Sequence, residues 1–208
     1  MILGVIPARG GSSLKGKNIR PLLGKPLLLW IIEAAQKSKI ERLVVSSDSE
    51  EIRNVTEQAG VETVVRPAEI SGPEGYSMAA INHVIDKVGI PQKTLLLQCT
   101  SPCTTAQDID ALIDLLDDYD SAFLAWESDA LLWHPDPLIA SNHDPHRKRA
   151  MRQDRMMLEE AGIYAWRGRV DNRFHGRIGV HVTKKGVDIN DAIDFDLAEA
   201  VLHRRISK

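Results

Sequence analysis

The chain has 208 residues with 43% hydrophobic and 26% charged side chains, a length that suits one domain with a single buried core and needs no disulfide scaffold. Twenty-six Lys and Arg stand against 29 Asp and Glu, a formal net charge of −3, which argues against a nucleic-acid coat and leaves room for a local phosphate site. The longest apolar runs, such as residues 26–32, fall well short of the about 18 to 20 residues that a membrane span needs, so no membrane partner is expected.

Met1 to Pro7 is a short apolar run ending at Arg9-Gly10-Gly11, the punctuation of a buried strand that feeds a loop. It lacks the basic start and small-residue cleavage site of a signal peptide, so a cytoplasmic location is expected. After Pro26, which a first helical turn tolerates, Leu27, Trp30, Ile31, Ala34 and Ala35 recur at helical spacing. A β-branched strand at Leu43–Ser46 leads to Asp48-Ser49-Glu50-Glu51, the start signal of a second helix carrying Ile52, Val55 and Ala59 and closed by Gly60. The cycle repeats with a strand at Val61–Val65, a helix around Met78, Ile81, Ile85 and Val88, and a strand at Thr94–Gln98. A further helix starts at Thr105 with Ile109, Leu112, Ile113 and Leu116 on one face. This alternation with short connections specifies a mostly parallel sheet with helices on both faces, where ligands sit at the strand C-termini.

After a strand at Ser121–Trp126 the regularity fails. Residues 127–155 carry Pro135, Pro137, Pro145 and the basic run Arg147-Lys148-Arg149, the marks of a binding loop, an oligomer arm or disorder. Short strands resume at Ile163–Trp166 and Ile178–Val182. Val187-Asp188-Ile189 then precedes a last helix with Phe195, Ala198, Val201 and Leu202 on one face and Asp191 and Asp194 suited to its first turn. No internal repeat or interdomain linker interrupts the chain. Cys99 and Cys103, the two cysteines, are too few for a four-thiolate zinc site and read as packed thiols.

The sharpest local signal is the stretch from Pro7 to Asn18, PARGGSSLKGKN, directly after the first strand. Its glycines let the backbone approach an anion, and Arg9, Lys15 and Lys17 supply the charge that a triphosphate needs neutralised. It matches neither the dinucleotide nor the P-loop fingerprint. This loop resembles the signature of the cytidylyltransferases that activate acidic sugars, the acylneuraminate (CMP-sialic acid, nonulosonic acid) synthetases and their relatives that load Kdo. SSDSEEI at 46–52, VVRPAEI at 64–70, LLQCTSPCTT at 96–105, NHDPHRKRAMRQD at 142–154, GIY at 162–164 and VDINDAIDFDLAEA at 187–200 extend the resemblance in order along nearly the whole chain.

The resemblance implies a single-domain, Rossmann-like α/β fold in which residues 1–126 and 187–208 bind nucleotide and residues 127–186 serve sugar binding and dimerisation. It implies a nucleotidyltransferase using CTP, an acidic sugar and Mg²⁺: the anomeric hydroxyl of a 2-keto-3-deoxy acid attacks the α-phosphate and pyrophosphate leaves, a reaction helped mainly by charge neutralisation and positioning. By motif, Arg9, Gly10, Gly11, Ser12, Lys17 and Asn18 hold the triphosphate, and Arg66, Gly75 and Ser77 face the cytosine. Gln98, Arg152, Gln153, Glu160 and Tyr164 fall on the sugar side, with the Arg152 fork suited to the acid's carboxylate. Asp188 takes the first place of a metal-binding DxD pattern and Asn190 the second, so the catalytic set is Arg9, Lys17 and Asp188. A homodimer is expected from the irregular arm.

The sequence departs from the family pattern at Ser13, where a lysine is common, at SPCTT, which lacks an arginine, at residues 73–77, at Glu160, which stands for an asparagine, and at Asn190, which stands for an acid. Those at the sugar pocket keep a Kdo-type acid or a phosphonate open as substrate, and Asn190 keeps open a nucleotide-binding homologue without turnover. His134, His143, His146, His175 and His181 show no metal-ligand spacing and read as surface or loop residues. Asp108 and Asp110 read as helix N-terminal charges, and Trp126, Trp133 and Trp166 as core or interface residues and not as a stacking platform for nucleic acid.

Overall fold

The computed structural model describes residues 1–11, 14–72, 77–142, 144, 146 and 156–207. Strand β1 (Ile2–Pro7) is apolar on both faces: Leu3 and Val5 point one way, Ile6 the other, and all three are fully buried. A strand with two faces to bury belongs at the centre of a covered sheet. β1 accordingly lies between β4 (Arg42–Ser47) and β6 (Lys93–Leu97), parallel to both. β5 (Glu62–Val65) extends the sheet beyond β4, and β10 (Met157–Arg167), β7 (Ser121–Ser128) and β11 (Ile178–Thr183) extend it beyond β6. Among the described residues this makes a seven-stranded sheet in the order β11-β7-β10-β6-β1-β4-β5, in which β10 runs antiparallel to both neighbours.

One face packs Ile6, Val45, Leu95 and Leu97 under α1 (Leu27–Gln36), α2 (Glu50–Gln58) and α4 (Ala106–Leu115). The other packs Leu3, Val5, Val44 and Leu96 under α3 (Ser77–Val88). At one end, α5 (Ala192–Ile206) buries Phe195, Ala198 and Leu202 against Leu22 and Leu27, next to the small ribbon of β2 (Pro21–Leu22) and β3 (Lys25–Pro26). Local chemistry sets where these helices begin. Ser49 caps α2, while Thr105 with Asp108 and Asp191 with Asp194 form capping boxes at α4 and α5. The α/β fold with a mostly parallel sheet read from the sequence is the fold observed, and the cysteines are packed, free thiols.

Three regions differ from the sequence reading. The strand expected over residues 163–166 runs for 11 residues, from Met157 to Arg167. Its register shifts between Glu160 and Tyr164 around Gly162, whose φ is 75°. The shift breaks the two-residue alternation, and residues 157–160 pair with β7 and not with β6, so they lack the apolar pattern of a covered strand. Residues 127–186 therefore supply two strands to the common sheet and are not a separately packed unit. Within the irregular segment, β8 (Trp133–Pro135) and β9 (Leu138–Ala140) form a separate hairpin. Pro135 and Pro137 read as breakers, yet one ends a strand and the other sits in the turn, where proline is tolerated. Trp126 and Trp166 are buried, whereas Trp133 on this hairpin is 47% exposed. His181 is not a bare surface residue either: its Nε2 lies 3.3 Å from Asp108. No helix among the described residues is long and apolar enough to cross a membrane.

Candidate functional site

β1, β4 and β6 are parallel, so their C-terminal ends share one edge of the sheet and the turns that follow them converge there. A cavity of about 160 Å³ opens at this edge, bounded by Arg9, Lys17, Asn18, Ser77, Gln98 and Cys99. Its charged and polar walls are tied to main-chain carbonyls. Arg9 Nη1 donates to Gly72 O at 3.0 Å, Asn18 Nδ2 to Arg9 O at 3.0 Å and Lys17 Nζ to Ile189 O at 3.0 Å. Lys17 and Asn18 are nevertheless buried. Burial pulls the Lys17 pKa down while the nearby Asp188 carboxylate opposes that shift. An ammonium held this way keeps further protons for an anion.

Asp48 closes the loop from below. Its Oδ1 accepts from Gly10 N at 2.8 Å and lies 3.9 Å from Arg66 Nη2. A Cβ on Gly10 would lie 3.0 Å from Ser49 Cβ, so a larger residue there would crowd the start of α2. Gly11 is exposed, with open space where a side chain would be. Arg66 is 5% exposed, and its Nε and Nη2 have no hydrogen-bond partner among the described residues. Burial lowers its pKa, and Asp48 offsets this. Buried guanidinium donors left unsatisfied are costly, which marks them as groups kept for a ligand.

The segment before α5 is pinned at Ile189. Its side chain is fully buried, its N–H donates to Thr100 O at 2.9 Å and its carbonyl receives Lys17. This anchoring brings Asp188 beside the cationic cavity. Asn190 Nδ2 donates to Asp188 Oδ2 at 3.1 Å, and Asp188 Oδ1 is buried without a hydrogen-bond partner. Asp191 Oδ1 accepts from Ile193 N and Asp194 N, which commits it to the helix cap. No group of three or more His, Cys, Asp or Glu able to hold a metal occurs among the described residues. An orphaned carboxylate oxygen beside a phosphate-sized cavity still fits a magnesium-type ion, which takes one or two protein carboxylates and completes its shell with phosphate oxygens and water.

A second cavity of about 220 Å³ shares Ser77 and Gln98 with the first and continues over Met78, Leu96, Tyr164 and Trp166 to Arg173. Here side chains hold one another. Tyr164 Oη donates to Glu160 Oε2 at 2.6 Å, and Arg173 Nη2 donates to Tyr164 Oη at 2.7 Å and also to Glu160 Oε2. Burial and the hydrogen bond to Glu160 push the Tyr164 phenol up to about 12, so it stays protonated.

Of the residues singled out in the sequence, Arg9, Lys17, Asn18, Ser77 and Gln98 thus line one cavity, Tyr164 lines the other with Glu160 bonded to it, and Asp188 with Asn190 lies beside Lys17. Ser12, Gly75, Arg152 and Gln153 lie outside the described residues. Two residues with a place here were not recognised in the sequence. Asp48 was hidden inside a helix-start pattern. Arg173 falls in no motif, because only the fold returns it to Glu160 and Tyr164. Cys99 lies under the first cavity, where burial pushes its thiol up to about 12.

A family model described as cytidylyltransferase matches residues 3–135. The chain is similar to the N-acylneuraminate cytidylyltransferase of Escherichia coli O18:K1:H7, with 38% identity over 103 residues, 49% of this chain and 25% of that protein. It is also similar to the 3-deoxy-manno-octulosonate cytidylyltransferase of Bdellovibrio bacteriovorus, with 34% identity over 119 residues, 56% of this chain and 46% of that protein. The chain thus spans a quarter to just under half the length of these curated relatives. Among solved structures, that of a CMP:2-keto-3-deoxy-manno-octonic acid synthetase complexed with CTP matches with a TM-score of 0.74 and 18% identity, over 98% of this chain and 99% of that one. At that identity the likeness is one of fold.

Proposed function

The chain belongs to the cytidylyltransferase family, and on that premise we propose that it is a nucleotidyltransferase that moves CMP from CTP to a 2-keto-3-deoxy sugar acid. The observation that carries this reading is the pair of cavities joined at Ser77 and Gln98, one cationic and the other lined by apolar surface with a few polar groups. The first suits a triphosphate and the second a sugar ring. The acid's anomeric oxygen bonds to the α-phosphorus, the bond from that phosphorus to the bridging oxygen breaks, pyrophosphate leaves and the hydroxyl proton passes to solvent. Arg9, Lys17 and Asn18, with Gly10, Gly11 and Ser12 of the same loop, hold the phosphates. The family motif assigns Arg66, Gly75 and Ser77 to the base. Gln98 stands between the substrates, with Glu160 and Tyr164 on the sugar side, and the family motif assigns Arg152 and Gln153 to the same substrate, Arg152 to its carboxylate. Asp188, to which the Asn190 amide donates, would hold Mg²⁺, which when bound would screen the charge of the departing pyrophosphate.

Both a nonulosonic acid and a Kdo-type acid suit this reading, since relatives named for each match over about half of the chain. We further propose a homodimer. The hairpin of β8 and β9 exposes Trp133, Leu138 and Ile139, with Leu131 and Leu132 leading into it, and an apolar projection of this kind marks an interaction surface. The proposed setting is the cytoplasm, in keeping with two free thiols.

Pyrophosphate release, measured with each of the four nucleoside triphosphates and a panel of 2-keto sugar acids, tests the activity. Release is expected with CTP plus an acid only, and it should stop in chelator and return with Mg²⁺. Binding of CTP with no release under any acid would leave a nucleotide-binding homologue without turnover. Sedimentation showing a stable monomer at micromolar concentration would remove the dimer.

A further inference from the structure

Resting on the reading of Asp188 above, we infer that Arg205 is a positioning residue for that carboxylate. From the last turn of α5 it clamps the segment that carries Asp188 to the loop after β6, and so sets the affinity for the divalent ion. Residues 184–190 join β11 to α5 without forming a helix or strand. Val187 and Ile189 pack into the cluster of Leu22, Cys103 and Phe195. Asp188 between them is turned the other way, where its charge acts on Lys17 and its Oδ1 is buried without a hydrogen-bond partner.

The chain is held on both sides of that carboxylate. On the C-terminal side Ile189 N donates to Thr100 O, Ile189 O accepts from Lys17, and Asn190 N donates to Asp194 Oδ2 at 2.7 Å. On the N-terminal side the hold is Arg205. Its Nη1 donates to Cys103 O at 2.7 Å, while its Nη2 donates to Lys185 O at 3.0 Å and to Lys184 O at 3.3 Å. One planar fork thus bridges two segments far apart in sequence, which the single head of a lysine reproduces poorly. Between this clamp and Val187 stands Gly186, the residue with the greatest backbone freedom. A Cβ there would lie 3.0 Å from Cys103 Cβ, so segment and loop meet closely at that point. With Arg205 in place the peptides on both sides of the glycine are tied down. Without it the chain leading to Asp188 turns about Gly186, and the carboxylate loses its preset direction. Charge at the end of α5 does not explain the contact, because His203 and Arg204 stand in the same last turn. Groups that orient a metal ligand are typically worth about 10- to 100-fold in metal affinity.

The test uses the full chain with CTP and no acid, so that nothing turns over, and reads the rise in melting temperature that CTP gives as Mg²⁺ is added. Asp188→Ala should abolish the part of the rise that depends on Mg²⁺. Arg205→Gln should require about tenfold more Mg²⁺ for half of that part, Arg205→Lys should fall between it and the natural protein, and Arg204→Gln should match the natural protein. Gly186→Ala, which presses on Cys103 from within the segment and leaves Arg205 intact, should also raise the Mg²⁺ requirement. The rise that CTP gives in chelator should be the same in all the Arg204, Arg205 and Gly186 variants, a split that a general loss of stability does not produce. A Mg²⁺ requirement unchanged in both Arg205→Gln and Gly186→Ala, even with a lower melting temperature, overturns the inference and leaves Asp188 as the metal carboxylate. A Mg²⁺-dependent rise that survives Asp188→Ala overturns that reading and this inference with it.

Discussion

In the cavity at the ends of β1 and β6 the charged side chains are fixed by main-chain carbonyls, whereas in the neighbouring cavity they are fixed by one another. Arg9, Lys17 and Asn18 each donate to a backbone oxygen, two of these contacts reaching segments 63 and 172 residues away. Glu160, Tyr164 and Arg173 form a closed side-chain set on one strand and the loop after it. In the first arrangement the acceptors are main-chain oxygens that no side-chain substitution removes, which suits a ligand part common to every turnover, a triphosphate. The second can be rewritten by single substitutions without moving the fold, and so suits the substrate that varies between relatives. Rigidity on one side and replaceable chemistry on the other is what a nucleotidyltransferase scaffold needs in order to serve different acceptors.

Removing the orphaned carboxylate on the rigid side should have the largest effect. Asp188→Ala is expected to lower the rate by more than about a hundredfold, since a bound metal supplies several kcal/mol of transition-state stabilisation. Asn190→Asp should stay within about tenfold of the natural rate and mainly lower the Mg²⁺ concentration required, because an added carboxylate strengthens ion binding more than it alters the transition state. A Mg²⁺ titration of the rate for both variants checks this. A natural sequence that turns over only after Asn190→Asp would instead support the homologue without turnover.

Lys17→Ala comes next, with a loss of roughly tenfold to a hundredfold in kcat/KM for CTP, because charged hydrogen bonds are worth about 1.5 to 3 kcal/mol. The KM for the acid should hold, and an equal rise in both KM values would erase the distinction between the two cavities.

Asp108→Ala tests whether scaffold and site are separable. It removes the capping box of α4 and the partner of His181, so stability should fall by about 1 to 2 kcal/mol and the melting temperature by about 2–4 °C for each kcal/mol. Neither KM should move. Burial pushes the Asp108 carboxyl up, but hydrogen bonds from Thr105 and Thr183 and the nearby His181 leave it below the ordinary carboxylate value. A depressed folded-state pKa adds stability above the unfolded carboxyl pKa, and that stability is lost as pH falls through the folded value. The gap between wild type and Asp108→Ala in thermal melts should therefore narrow in acid.

The smallest effect is expected on the replaceable side. Tyr164→Phe removes a hydroxyl that both donates and accepts, worth about 0.5 to 1.5 kcal/mol per bond, and should raise the KM for the acid by less than about tenfold. An effect on CTP as large as that of Lys17→Ala would show that the two cavities are not independent.

Much of the first cavity was legible because its signals are local. The glycine-rich loop follows an apolar strand directly, the cap residues Ser49, Thr105 and Asp191 stand next to the helices they start, and strand–helix alternation implies a parallel sheet whose loops converge. Asp48 escaped because the same residues that open α2 also contain it, and its partners Gly10 and Arg66 are distant in sequence. On the acceptor side the bulge at Gly162 hid the length of β10, and Arg173 carried no spacing signal at all.

The sequence by itself determined the alternation of the main strands and helices, where most helices begin, and which loop gathers the glycines and basic residues suited to an anion, since these depend on side-chain periodicity and on hydrogen bonds between near neighbours. Only the tertiary structure decided that β10 runs antiparallel between β6 and β7, that Ile189 is buried with its carbonyl accepting from Lys17, and that Arg173 closes a set with Glu160 and Tyr164. Each of these rests on contacts between segments far apart in the chain, and the free energy that fixes them is burial of apolar surface summed over the whole core, which no local pattern records.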